Sequence, residues 1–384
     1  MTAQQYKKNP AASARQRRPW RSLARHGRVL CAMALGAAGL TQNARAVEAP
    51  SSVTLYGIVD AALQYGKFDK GVGASAALAS GNLQASRLGF RGSEDLGAGY
   101  RANFQLETGF SIDTGVGGGT TLFNRGAAVG LSSADYGSID VGSLYLPIYW
   151  VFLGSDVATY GLANPSAIMS LEHSSTLGKS GTGGFYSNAI RYRTPVLFNG
   201  LTSEIGYSFG AEDSSNLSNG RNIGMNLQYA RGPVTLGYGV NRHRYDPGTA
   251  AASLPNISQL TQVVAATFNV GGNMLGANYL YSKRTDPGAW FSSAVMLNAR
   301  IATGPGDINL GVSRRAQQGD ARATAYSAGY VYFLSKRTQL YGYATRIVNN
   351  GRSTQGFGLL SPASATVTPG FDPWAVTAGL RTSF

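Results

Sequence analysis

The sequence predicts an all-β fold, a 16-stranded antiparallel transmembrane β-barrel, and three observations predict it. Apolar and polar residues alternate with period two from Val53 to the end of the chain. The composition holds 51 Gly, 21 Tyr and 15 Phe with only 14% charged residues, which suits strands and tight turns better than helices. An export-type leader precedes the alternating part.

The leader comes first in the chain. Residues 1–28 carry eight basic residues and no acid (Lys7, Lys8, Arg15, Arg17, Arg18, Arg21, Arg25, Arg28). An apolar run, Val29 to Leu40, follows, and then Ala44-Arg45-Ala46, a small-residue cleavage pattern. This order reads as a secretory signal peptide over 1–46, with the barrel over 47–384. Of the 33 basic residues nine lie before residue 47, which leaves 24 against 19 acids, a net charge of +5 instead of +14. The high isoelectric point is therefore largely a property of the leader, and a nucleic-acid partner is not expected. The single cysteine, Cys31, also lies there, so the exported part has no thiol or disulfide chemistry.

Strands are then read near 52–66, 82–93, 99–112, 121–132, 136–146, 185–195, 201–212, 220–231, 233–245, 259–270, 273–284, 290–303, 307–318, 322–335, 338–348 and 373–384. Each shows two-residue periodicity, the mark of one apolar and one polar face. In 101–110, Ala102, Phe104, Leu106 and Phe110 share one parity, and Arg101, Asn103, Gln105 and Glu107 the other. Tight turns at 231–233, 271–273, 304–306 and 335–338 alternate with longer segments such as 246–258 and 349–371. Short turns at one end and long loops at the other suit an outer-membrane barrel.

A soluble two-sheet sandwich also alternates, but packs its apolar faces inward. Many strands here reach the ~9–11 residues that cross a tilted bilayer path. Aromatics near strand ends (Tyr279, Tyr281, Tyr330, Tyr332, Tyr341, Tyr343, Trp374) read as interface girdles. Closure pairs every backbone group, the condition for strands to survive in lipid. The last strand places Trp374, Val376, Ala378, Leu380 and Phe384 on one parity. Its terminal Phe384 resembles the signal read by the barrel assembly machinery, which is therefore an expected partner.

Several stretches resemble the general trimeric porins of Gram-negative bacteria, of the Neisseria and Burkholderia type. SSVTLYGIVDAALQYG (51–66) looks like the opening strand, and SRLGFRGSEDLGAGYRANFQLETGF (86–110) like the next two. FNRGAAVGL (123–131), NAIRYRTPVLFNGL (188–201), YFLSKRTQLYGYA (332–344) and AVTAGLRTSF (375–384) are similar to later strands and the closing hairpin. The chain departs from the family's Gly-Arg-Gln-Tyr, reading Gly142-Ser143-Leu144-Tyr145, and has Trp150 where an Asp is common. The resemblance implies an outer-membrane channel for passive diffusion of small hydrophilic solutes and ions, a homotrimer in contact with outer-membrane lipids, no cofactor, and a third loop folded into the barrel. Gly126, Ala128 and Gly130 offer one small-residue face that fits a trimer contact.

The inward loop falls on 146–184, which carries Asp156 and Glu172. The resemblance places arginines opposite it, at Arg87 and Arg125. Arg191 and Arg193 share one parity of their strand and join that wall, since a charge facing lipid costs ~2–4 kcal/mol at mid-membrane. These six residues are the expected constriction. Guanidinium groups stay charged in fixed geometry at any relevant pH, and rings of charge set ion preference, so an anion preference is expected. Arg91 and Arg101 are read near the periplasmic rim beside Glu94 and Asp95.

An outer-membrane hydrolase needs a nucleophile, a base and an orienting group in reach. The exported part has two histidines, His173 and His243, with no Gly-x-Ser-x-Gly or His-x-x-x-His pattern, and both read as loop or rim residues. A surface adhesin has little support in the low charge of 246–258 and 349–371. A solute-specific channel, marked by an aromatic slide or a ladder of charges, stays open as the second reading.

Overall fold

A computed structural model describes residues 52–158, 161, 184–210, 218–244, 257–285, 291–357 and 367–384. The leader 1–46, Glu172 and His173 lie outside the described residues. The strands run β1 (Ser52–Lys67), β2 (Ser75–Ser80), β3 (Arg87–Gly97), β4 (Tyr100–Gly109), β5 (Gly126–Ser133), β6 (Gly137–Tyr145), β7 (Phe185–Arg193), β8 (Leu201–Ser208) and β9 (Asn222–Arg231). They continue as β10 (Val234–Arg244), β11 (Ser258–Val270), β12 (Asn273–Arg284), β13 (Phe291–Ala302), β14 (Gly306–Gln317), β15 (Ala321–Phe333), β16 (Thr338–Asn349) and β17 (Trp374–Ser383). One helix, α1 (Pro147–Gly154), follows β6.

Every strand pairs antiparallel with its neighbours, and β17 returns to β1, so the sheet closes. β2 and β3 share one edge of β1, pairing with its residues 61–66 and 52–58. They form one interrupted stave, and the barrel has sixteen. The strand expected at 82–93 is therefore broken. Its cause is Asp60, a fully buried acid on β1, whose Oδ2 accepts from the backbone of Leu83 (3.1 Å) and Gln84 (2.7 Å). The Tyr341 hydroxyl donates to Oδ1, and Gly81 turns the chain at φ +73°. A buried carboxylate must be satisfied, and here residues 81–86 leave the sheet to do so.

The barrel is inverted relative to a soluble protein. On β11, Leu260, Val264 and Phe268 are exposed, while Thr261, Val263 and Thr267 are buried. Across the described strands the outward parity is apolar and the inward one rich in Asn, Ser, Thr and Gly. Short turns such as 232–233 and 271–272 lie at the same end as Ser52 and Ser383, which marks that end as periplasmic. There the Phe384 backbone exchanges hydrogen bonds with Gly57 (3.1 and 3.2 Å). A Cβ on Gly57 would lie 2.5 Å from the Phe384 ring, so the small residue lets the last aromatic lie flat on the first strand.

Two expectations change. Tyr341 and Tyr343 are buried on the inward parity instead of joining a girdle; Tyr343 accepts from Asn309 at 2.6 Å. Gly126, Ala128 and Gly130 face inward, and a Cβ on Gly130 would meet Asp140 Oδ1 at 2.5 Å. They clear space for an inner-wall carboxylate; the outward parity of β5 is Ala127, Val129 and Leu131. His243 stands one residue from the long-loop end of β10, the rim position expected of it, where it is 2% exposed on the inner face beside Asn222.

Candidate pore constriction

Pro147 opens α1, and nothing in its first turn is acidic. The helix packs against β8 to β11. Its residues Ile148, Val151 and Phe152 are buried, and a cluster with Val263, Leu280 and Met296 covers them. Polar anchors hold both ends. Asn226 donates to the Pro147 carbonyl (2.7 Å), Asn278 to Ser155 Oγ (2.8 Å) and Asn298 to the Ser155 carbonyl (2.9 Å). Glycines make the close approach possible: a Cβ on Gly276 would stand 2.2 Å from the Ser155 carbonyl, and one on Gly237 2.8 Å from Val151. These wall residues lie on the buried parity, so the segment 146–158 rests on the inner face.

The expected arginines fall into two groups. Arg125, just before β5, bonds Glu107 of β4 through Nε (2.8 Å) and donates to the Tyr145 hydroxyl (2.9 Å). Its guanidinium lies over the Phe185 ring, 5.5 Å from the centroid. Tyr56 also donates to Glu107 (2.9 Å). Arg191 and Arg193 on β7 both reach Asp140 Oδ2 of β6 at 3.0 Å, and Glu204 of β8 stands 3.9 Å from Arg191. The carboxylates on these arginines thus belong to the barrel wall. The Arg87 side chain has no hydrogen bond or ion pair among the described residues. It contributes, with Arg125, to the electrostatic surroundings of Tyr145 and Tyr149.

Asp156 is buried, and its Oδ1 accepts from the Ala158 N–H (2.8 Å). Arg101 lies 3.8 Å from Asp95, as read, whereas Arg91 stacks over the Tyr56 ring. Burial pushes the Tyr149 hydroxyl above its ordinary value, opposed by Arg125 and Arg87. The departures from the family pattern have a consequence: Tyr145, Tyr149, Trp150 and Phe185 pack as one aromatic cluster, with Tyr145 and Tyr149 stacked at 4.8 Å.

Sequence reasoning assigned no role to Glu107, Asp140, Glu204 or Arg381. The inward parity of their strands is the signal for all four. Arg381 of β17 donates through Nε and Nη2 to Gln84 Oε1 (3.1 and 2.7 Å), and it shares the surroundings of Arg87 and Asp60.

A closed sixteen-stave barrel with an apolar exterior, and a polar inner wall bearing paired and unpaired charge, defines a channel protein of the outer membrane. Residues 30–352 match the Gram-negative porin family, and the chain belongs to that family. Outer membrane porin protein 32 of Delftia acidovorans is 30% identical over 352 residues, covering 88% of this chain and 96% of that one. An outer membrane porin protein of Bordetella pertussis is 28% identical over 412 residues, covering 91% and 99%. Among solved structures, the anion-selective porin from Comamonas acidovorans matches with a TM-score of 0.77 at 28% identity, covering 87% of this chain and all of that one. The protein is an outer-membrane porin, and these relatives are channels, not enzymes.

Proposed function

We propose that this porin is an anion-preferring channel for passive diffusion of small hydrophilic solutes and ions, without catalysis, narrowed where 146–158 faces the arginine wall. The observation that carries the reading is the arginine surplus on that wall. Arg125, Arg191 and Arg193 hold Glu107, Asp140 and Glu204, while Arg87 has no carboxylate on it among the described residues. Charged rings lining a pore bias which ion enters. The anion selectivity of the Comamonas acidovorans porin supports the same reading. The test is the zero-current potential across planar bilayers under a KCl gradient. A chloride-directed potential that shrinks in Arg87→Ala is expected; a potassium-directed potential in the wild type overturns the reading.

Assembly as a homotrimer, and cleavage of the leader after Ala46, belong to this proposal and rest on the family resemblance and the sequence pattern. A solute-specific channel is the second reading, favoured by the aromatic cluster Tyr145, Tyr149, Trp150 and Phe185 beside Arg125. Liposome swelling separates the two. Rates that fall smoothly with solute size support general diffusion, and one solute faster than its size allows supports specificity.

A further inference from the structure

The segment 146–158 has a second point of attachment, on the wall where the barrel is broken. α1 and Ser155 are held on β9, β12 and β13 through Asn226, Asn278 and Asn298. Ala158, further along, packs elsewhere. It is 3% exposed and shares a buried cluster with Ala62 of β1, Leu83, Val331 of β15, and Tyr341 and Tyr343 of β16. The chain is still there at Gly161, whose N–H donates to the Ala158 carbonyl (3.1 Å). A Cβ on Gly161 would stand 2.5 Å from the Leu83 carbonyl and 2.7 Å from that of Asn82, so a side chain here would push the two segments apart.

Leu83 belongs to 81–86, the stretch that leaves the sheet between β2 and β3, and the shape of that stretch depends on one residue. Asp60 Oδ2 accepts from the Leu83 and Gln84 N–H groups, its carbonyl accepts from Gly81 (2.9 Å), and its own N–H donates to Ser86 Oγ (3.0 Å). Tyr341, which donates to Oδ1, also lies in the cluster around Ala158. Gln84 Oε1 in turn accepts from the Arg381 guanidinium. The residue type follows from the donors it meets. Two backbone N–H groups and one phenol need acceptors on a single buried side chain, and a carboxylate offers nothing but acceptors. Deleting it strands those donors inside the wall, which costs more than the bonds themselves contribute. The stretch must then move, and the surface under Ala158 and Gly161 moves with it.

We propose that Asp60 is a positioning residue of the pore: through 81–86 and Tyr341 it holds Ala158 and Gly161 against the wall between β16 and β3, and so sets the width of the channel. This rests on the reading of 146–158 as the narrow part of an anion-preferring channel. Asparagine separates shape from charge. Its amide oxygen can take both N–H groups at the Oδ2 position, and its NH2 can donate to the Tyr341 hydroxyl, which accepts as well as donates. Asp60→Asn therefore keeps the clasp and loses the charge, whereas Asp60→Ala loses both.

The test uses the full chain, folded in detergent and reconstituted in planar bilayers. Asp60→Ala is expected to raise single-channel conductance and to add transitions between levels, with Asp60→Asn conducting as wild type. In hydrogen exchange read by mass spectrometry, the peptide over 81–86 exchanges at least about tenfold faster in Asp60→Ala, because bonds to a charged acceptor are lost, and close to the wild-type rate in Asp60→Asn. Gly161→Val, which lifts the segment without touching Asp60, is expected to reproduce the conductance change, and it decides the matter if Asp60→Ala does not fold. Wild-type conductance in folded Asp60→Ala or in Gly161→Val overturns the proposal. So does an equal change in Asp60→Asn, which would assign the effect to charge and not to position. The direction of the wild-type zero-current potential tests the anion reading separately, and none of these outcomes alters it.

Discussion

The two sides of the inner wall handle polarity in opposite ways. From β3 to β8 the wall is ionic, with Glu107 on Arg125 and Asp140 between Arg191 and Arg193. Under α1, from β9 to β13, it is neutral, built from Asn226, Asn278, Asn298, Ser and Gly, with the Arg300–Asp307 pair of β13 and β14 lying toward the periplasmic end. The three asparagines are 1–6% exposed, whereas the Arg193 side chain is 44% exposed. Covering an amide is tolerable when a partner amide or carbonyl replaces water, at a net gain of about 1 kcal/mol per bond. Covering an ion pair removes more hydration than its attraction returns unless every lone pair is met. The helix therefore seats on the neutral side, and the ionic side stays uncovered by it.

If that division holds, the largest effect comes from breaking the ionic side. Arg125→Ala leaves Glu107, 5% exposed, with only tyrosine hydroxyls and no cation in contact. A loss of about 3 kcal/mol in unfolding free energy is expected from stranding a buried charge. Arg125→Ala combined with Glu107→Gln should recover most of it, as read by thermal unfolding in detergent. Additive losses in the double variant would break the comparison. A somewhat smaller effect is expected on the neutral side from Gly276→Val. Its Cβ would stand 2.2 Å from the Ser155 carbonyl, and overpacking of this kind costs about 1–3 kcal/mol. Because the displaced group is the end of α1, single-channel conductance should change with stability, and unchanged conductance would show that the seat does not set the pore.

Removing one anchor without crowding is the milder version. Asn298→Ala deletes the bond to the Ser155 carbonyl and should lower stability by about 1 kcal/mol while leaving ion preference intact. A shifted zero-current potential in this variant would mean that the neutral wall also sets selectivity.

The two sides also differed in how far the sequence revealed them. Strand parity put Glu107, Arg191 and Arg193 on the polar faces of their strands, because the period-two pattern reports facing directly, whereas Arg125 came from the family resemblance and stands just before β5. It could not report which acid meets which arginine, since Asp140 and Arg191 are 51 residues apart and meet only through strand register. The seat was less legible still. Gly237 and Gly276 read as weak strand residues, and only the arriving helix explains them. Asp60 is buried on the inward parity of β1, but its capture of 81–86 depends on Tyr341 from the far end of the chain. The Tyr341 and Tyr343 girdle assignment failed because aromatic type outweighed parity in the reading. Their neighbours Leu340 and Ala344 face outward.

The smallest effect distinguishes charge from amide by titration. Asp69, in the loop after β1, accepts the Thr368 N–H at 2.8 Å and so ties two loop segments together. That hydrogen bond, first among its causes, holds the Asp69 carboxyl below its ordinary value. A carboxyl with a depressed folded value contributes stability that is fully present above the unfolded value, about 3.9. That contribution is lost as the pH falls through the folded value. The difference in thermal midpoint between wild type and Asp69→Asn should therefore be present at neutral pH and vanish in strong acid. An asparagine has nothing to titrate in this range, so the Asn298→Ala difference should stay constant over the same interval. Parallel loss of both differences in acid would mean that the seat of α1 depends on an ionised group after all, and the division between an ionic and a neutral wall would fail at that point.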